Sequence, residues 1–405
     1  MTEATAGEQT RWGMVSLAFA AGMMAAAHLG KVPPVLPVIR AELGLDLVFG
    51  GWVVSIFAAT AMTLGVFAGT VVDGLGYRRV ILVGLAAVSL GSAAGGFATS
   101  GAALLASRCL EGLGFLAVMV AGPVLIANST VGDERRLALG IWGGNVPAGV
   151  AAMMLVSPLI ADWVGWRTLW FVVAAASLGC LAFTAAATSR EVQSSVPAPR
   201  GGSFAHNLRL TLTRPGPWLL TVAFGLNTVM WVGLIVWLPS FLIEERGLGA
   251  GAAAALSALV VAFSVAGNVL AGWLLQRGWA RWVIIAVNGA VMGLAALGIF
   301  SEAVPDGARY GLCIVFSALG SMVPAAVLAG ASVHSPSPSQ LGTINGLVIQ
   351  GANIGVFLGP PIVGALVART GDWSAGVWLM LVASVATIVV ALAIRRIEPS
   401  AATGD

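Results

Sequence analysis

The chain has 405 residues, 58% of them hydrophobic and 9% charged, with a formal net charge of +3. A soluble domain carries about 25% charged residues, and disorder requires low hydrophobicity with high charge, so both classes are excluded. What remains is a chain solvated mostly by lipid, with too few residues outside apolar runs to build a sizeable soluble catalytic domain.

Apolar runs between polar breaks predict twelve spans, at 12–36, 47–71, 79–98, 102–126, 137–160, 167–187, 218–241, 252–275, 281–300, 309–332, 342–366 and 374–394. All should be helices, because an open strand would leave its backbone groups unpaired in hydrocarbon. Span 1 follows a short polar start and is too long for a signal peptide, so it reads as an uncleaved span. It carries His28 and Lys31 one helical turn apart, then Pro33, Pro34 and Pro37, which should break or bend its far end. Span 2 leads into a loop beginning at Gly69. Span 4 carries Arg108 and Glu111 at i, i+3, and span 5 carries Asn145 among several glycines. In the second half, Asn227 and Trp231 lie on span 7, Asn268 on span 8, Asn288 on span 9, and Gln350 and Asn353 on span 11.

The basic residues are scattered between the spans, without the clustered stripe of a nucleic-acid surface. Cys109, Cys180 and Cys313 fall inside apolar segments and give neither a disulfide framework nor a metal spacing. With the N-terminus in the cytoplasm, the cytoplasmic segments hold 13 arginines and the outer segments 5. That bias fits a multi-pass inner-membrane protein with both termini cytoplasmic. The hydrophilic stretch 188–217, rich in Ser, Pro, Gly and Arg, reads as a linker between a six-span bundle at 1–187 and another at 218–405. The halves look related. Leu36-Pro37 recurs as Leu238-Pro239, Gly69 as Gly272, and Asn145 as Asn353, at offsets of 202 to 208 residues. A six-plus-six parallel repeat is the signature of a two-bundle transporter that rocks about a central site.

Gly69-Thr-Val-Val-Asp73-Gly-Leu-Gly76-Tyr-Arg78-Arg79 resembles the loop 2–3 signature of the major facilitator superfamily. Arg108-Cys-Leu-Glu-Gly112-Leu-Gly114 and Gly165-Trp166-Arg167 are similar to further elements of that family. The resemblance runs from residue 12 to 394 and implies a twelve-helix all-α membrane fold, alternating access and secondary transport without an enzyme activity. The chain has no phosphate-binding loop, and no cofactor or metal is expected. Asp73, Gly76, Arg78 and Arg79 would form a gating latch, with Gly76 permitting the tight turn. Gly74 and Tyr77 stand where the family usually has a basic residue, which weakens that latch. His28-Leu-Gly-Lys31-Val-Pro-Pro34 and Leu238-Pro239-Ser-Phe-Leu242 look most like the cyanate/nitroimidazole permease-like branch.

Mid-span ionisable groups are costly and are functional candidates by default. Four qualify: His28, Lys31, Arg108 and Glu111. Lys31 is the only lysine, and its repeat counterpart is Gly233, so both halves do not need it as scaffold. With His28 neutral the four sum to about +1, which favours an anionic small-molecule substrate. Lys31 is the expected anion anchor, with Arg108 as a second cation or a partner of Glu111, and Glu111 or His28 as the proton carrier. The resembled family lines its cavity with spans 1, 5, 7 and 11, which adds Asn145, Asn227, Trp231, Gln350 and Asn353 to the expected binding set. Bland alternatives stand beside these roles: Lys31 snorkelling to the boundary, Arg108 and Glu111 bracing helices, and the amides acting as interhelical glue. The leading functional expectation is import of a small anion with a proton by a monomer. A proton-driven exporter of drugs, siderophores or metabolites is the alternative, and a non-transporting receptor or assembly factor is the reading from another class.

Overall fold

The computed structural model describes residues 9–132, 134–188, 209–335 and 338–398. The described residues form helices joined by short turns. The first half comprises α1 (Trp12–Gly30), α2 (Leu36–Leu43), α3 (Leu47–Ser55), α4 (Phe57–Leu75), α5 (Tyr77–Gly96), α6 (Gly101–Ser129), α7 (Glu134–Trp142) and α8 (Asn145–Ala187). The second comprises α9 (Pro215–Glu244), α10 (Ala250–Ala262), α11 (Ser264–Gln276), α12 (Arg281–Ile299), α13 (Asp306–Gly320), α14 (Met322–Val333), α15 (Pro338–Thr370) and α16 (Gly376–Ile397).

Among the described residues, ten helical stretches are long and apolar enough to cross a bilayer, and the bent pair α3–α4 makes an eleventh. The longest, Leu137–Ala187, has 51 residues. At about 1.5 Å per residue it exceeds twice the ~30 Å hydrocarbon thickness. Gly165 interrupts it with φ 81° and ψ 158°. The first limb passes α1, where a Cβ on Gly22 would meet Asn145 and one on Gly30 would meet Val150. The second limb starts beside Glu42 and Ala98 and returns to Arg78. The chain therefore reverses at Gly165, and the stretch supplies two crossings, which brings the total to twelve.

Local chemistry sets the breaks. α1 stops at Gly30 ahead of Pro33 and Pro34, which form a short 3₁₀ turn before α2 resumes. The loop expected from Gly69 is instead helix through Leu75, and Gly272–Gln276 is likewise helix. The residue that leaves the helix is Gly76, at φ 80°, a conformation a side chain would strain. Its counterpart Gly278 has φ 85°. Gly44 and Gly247 share φ 65°, and Gly165 and Gly371 have 81° and 69°. The left-handed turns thus recur at offsets of 202 to 206 residues. Most of the expected linker, 189–208, lies outside the described residues, and α9 begins at Pro215.

α1, α4, α5, α6 and α8 pack as one bundle, and α9 to α16 as the other. Small residues carry the tightest approaches. A Cβ on Gly149 would collide with Met23 O, and one on Gly351 would collide with Thr221 O. The bundles meet through α3 and α4 against α15, and through α8 against α10. At one end this seam is closed. Arg40 reaches Glu244 at 3.1 Å, Trp52 packs on Phe357 at 4.8 Å, and a Cβ on Gly51 would meet the Pro361 backbone at 2.8 Å.

Candidate functional site

The first bundle buries a charged cluster where α1, α3, α5, α6 and α8 converge. His28, Lys31, Arg108 and Glu111 are each 0% exposed. Helical spacing places His28 with Lys31 and Arg108 with Glu111, but packing couples the two pairs through Glu111. Its Oε1 lies 2.5 Å from Lys31 Nζ and 3.2 Å from His28 Nδ1, while Oε2 accepts from Arg108 Nη1. The carboxylate therefore serves two cations.

Each partner is held from a second side. Lys31 Nζ donates to Ser92 Oγ at 2.8 Å and lies 4.4 Å from the centre of the Trp170 ring. Ser92 Oγ in turn donates to Trp170 O. Arg108 Nη1 donates to His28 O at 2.8 Å, in the last turn of α1, where helical carbonyls lose their own partners. Arg108 Nε donates to Val53 O at 3.1 Å, and its guanidinium lies 4.6 Å from the centre of the Phe57 ring. Arg108 Nη2 is buried with no hydrogen-bond partner among the described residues. His28 Nε2 is 2.9 Å from Ser177 Oγ, whose own proton goes to Val173 O. Nε2 is thus the protonated nitrogen, and Nδ1 is left facing Lys31 and Glu111. A second proton on the ring would sit on Nδ1, against the carboxylate. Ser92, Ser177 and Trp170 were not among the sequence candidates, since nothing in the sequence tells which serine or tryptophan of these helices faces a buried charge.

The family model described as Major Facilitator Superfamily matches residues 14–348. The chain belongs to the major facilitator superfamily. It is 26% identical over 362 residues to the probable sulfoacetate transporter SauU of Cupriavidus necator, covering 83% of each chain. It is 28% identical over 390 residues to monocarboxylate transporter 11 of Homo sapiens, covering 90% of this chain and 78% of that one. Against the tetracenomycin C resistance and export protein of Streptomyces glaucescens, 30% identity extends over 167 residues, 41% of this chain. The chain spans about a third of the length of the antibiotic-resistance relatives it matches. A solved bacterial homolog of the human lysosomal transporter Spinster, inward-facing and occupied, superposes with TM-score 0.77 at 17% identity over 96% of each chain.

Within this superfamily fold the remaining candidates are dispersed. Asn145 is 2% exposed and its Nδ2 donates to Trp142 O in its own bundle. Asn227 is buried in the second bundle. Both leave Oδ1 without a partner among the described residues. Trp231 Nε1 donates to Ser317 Oγ, and Asn353 Nδ2 donates to Ile349 O on its own helix. Gln350 crosses the seam, donating to Met62 O at 3.1 Å. Asn268 and Asn288 donate to backbone within the second bundle. None of these amides is hydrogen-bonded to the Lys31 cluster among the described contacts.

At the opposite end from Arg40, Arg78 donates to Thr188 Oγ1 at 3.0 Å and to Ala185 O, holding the end of α8. Arg79 is exposed. The Asp73 side chain lies outside the described residues, so the expected latch partner of Arg78 is not among these contacts.

Proposed function

We propose that the chain is a secondary transporter that imports a small organic anion with a proton by alternating access. The observation that carries this reading is the buried cluster in which Lys31 and Arg108 share the single carboxylate of Glu111. Its charge is +1 with His28 neutral. A substrate carboxylate or sulfonate supplies the missing anion, competing with Glu111 for Lys31 Nζ and taking the unpartnered Arg108 Nη2. A proton on Glu111, passed through His28 Nδ1 at 3.2 Å, releases the cations to the substrate. Cation release and proton uptake are then one event, which is the basis of coupling. Two of the relatives matched along most of their length are named for sulfoacetate and for monocarboxylates, both anions, and a third is named for niacin and nicotinamide.

The moving bodies are the bundles at 1–187 and 218–405, joined by 188–217, in a monomer of the inner membrane with both termini cytoplasmic. The arginine bias supports that orientation. Asn145, Asn227, Trp231, Gln350 and Asn353 complete the binding surface as the bundles rock. Asp73, Gly76, Arg78 and Arg79 act at the cytoplasmic gate. Within the superfamily, the string from His28 to Pro34 supports the cyanate/nitroimidazole permease-like branch.

The test is uptake of labelled sulfoacetate, lactate and acetate into proteoliposomes with an inside-alkaline pH gradient. Gradient-driven accumulation that is lost in Lys31→Ala supports the proposal. Uptake and affinity unchanged by Lys31→Ala refute the anchor role. Partial matches to antibiotic exporters favour a second reading, proton-driven export. Substrate efflux driven by an inward proton gradient would select it.

A further inference from the structure

We infer that the second bundle holds a separate binding site for an amphipathic anion: a carboxylate or phosphate head on an aliphatic tail. A cavity of about 300 Å³ opens between α9, α10, α12 and α13, within the range of small-ligand pockets. Its wall is apolar, with Leu238, Phe241, Leu256, Ile299 and Cys313. Leu238, Phe241 and Ile299 also border a void of about 20 Å³ beside Trp237 and Trp373, at the tail end. The polar side of the cavity is formed by Arg246, Asp306 and Arg309. Tyr310 also lines it, but its hydroxyl is spent on Leu256 O at 2.9 Å.

The charge at this rim is undercompensated. Arg246 and Arg309 both turn to one oxygen of Asp306, at 3.4 and 3.8 Å. The Asp306 side chain is 72% exposed, whereas that of Arg309 is 9% exposed. Arg309 is fixed by donating from Nε to Val304 O at 2.7 Å. A largely buried guanidinium whose only ion-pair partner among the described residues is a mostly exposed carboxylate is a receptor for a second anion, which it can bind through paired N–H donors.

The repeat separates this feature from the scaffold. Leu36, Ile39 and Val53 stand where the second half has Leu238, Phe241 and Leu256, and all three are 0% exposed. Counting from the helix start, Leu104 takes the place of Arg309, also at 0%. Leu43 takes the place of Arg246, one residue ahead of the paired turns at Gly44 and Gly247. The first copy fills this region with apolar side chains, so the fold does not require the cavity or its two arginines. The site lies in the other bundle from Lys31, and the two can be tested independently.

The test uses the purified full-length protein in phosphatidylcholine nanodiscs, titrated with decanoate, decanol and sodium sulfate while thermal unfolding is followed. Decanoate is expected to raise the transition temperature saturably, with decanol and sulfate far weaker. Arg309→Gln should weaken the decanoate effect about tenfold or more. Cys313→Phe, which fills the cavity and leaves the rim intact, should abolish it, and it carries the test should Arg309→Gln misfold. Discs containing phosphatidylglycerol separate the sources. An Arg309-dependent gain with that lipid, and none with decanoate, assigns the same head chemistry to a bilayer lipid. No response to either ligand, or responses unchanged in both variants, overturns the site.

Discussion

Replacing Glu111 by Gln removes the one carboxylate that Lys31 and Arg108 share, and raises the cluster charge from +1 to +2 with His28 neutral. At 2.5 Å and an effective dielectric constant of about 20, the Lys31–Glu111 attraction alone is about 7 kcal/mol before desolvation. Removing one partner of a buried pair typically costs about 3–5 kcal/mol net, because the other charge is left uncompensated. Glu111→Gln should therefore be among the most destabilising isosteric substitutions in the chain. Lys31→Met together with Glu111→Gln returns the cluster to +1 and should recover most of the loss. The functional arm follows from the same geometry. A substrate anion should stabilise Glu111→Gln more than the wild type, because its competitor is gone. Exchange of substrate across the membrane should persist while gradient-driven accumulation disappears. Thermal unfolding in nanodiscs, with and without sulfoacetate, reads the first arm, and paired counterflow and pH-jump assays in proteoliposomes read the second. A Glu111→Gln protein within about 1 kcal/mol of wild type that still accumulates substrate under a pH gradient would refute the reasoning.

The closed end of the seam offers two further tests. Arg40 and Glu244 are 18% and 35% exposed, so their pair is worth at most about 1 kcal/mol, and Arg40→Glu should shift the balance of conformations only a few-fold. Spin-label distances between positions 38 and 245 should lengthen in Arg40→Glu and return when Glu244→Arg is added; no recovery would rule out a direct latch. Gly51→Ala puts a Cβ against Pro361 backbone at 2.8 Å, where neither side can yield by a rotamer change. It should pry this end apart, raising the reactivity of a cysteine introduced at Trp52 and slowing transport, and an unchanged labelling rate would show that the seam adapts. At the other end of the second bundle, Glu398 accepts from His334 Nε2 at 2.8 Å and from Arg281 Nε at 3.1 Å. Burial alone would raise its pKa, but the bonds and charges of His334 and Arg281 hold it below the ordinary glutamate range. A depressed carboxylate stabilises the fold above its unfolded pKa and loses that contribution as pH falls through the folded one. Glu398→Gln should lower stability at neutral pH and flatten its decline on acidification, as read by thermal unfolding between pH 7 and pH 3.

The twelve crossings were legible because lipid imposes one rule on every span, and that rule depends only on composition. The boundaries were less so. The helix of span 2 runs past Gly69 to Leu75, since nothing before Gly76 forces the backbone to turn. Charge rarity in apolar segments picked out all four members of the buried cluster. What it could not supply was connectivity. Lys31 and Glu111 are 80 residues apart, and their contact depends on the packing of α1 against α6. Ser92 and Ser177 were invisible for the same reason, because a serine matters here only through what stands across from it. In the sequence Arg246 and Arg309 are simply two of the five outer-segment arginines, and the space between α9 and α13 that gives them meaning has no one-dimensional trace.

A single lysine with no exposed surface has a practical consequence. Apart from the terminal amine, Lys31 is the only primary amine in the chain, and it is 0% exposed. Amine-acylating reagents have no other side chain to consume them. Mass-spectrometric detection of acylated Lys31 over time would count the moments when the interior of the first bundle is open to solute. The protein carries its own clock for that opening, with no engineered label.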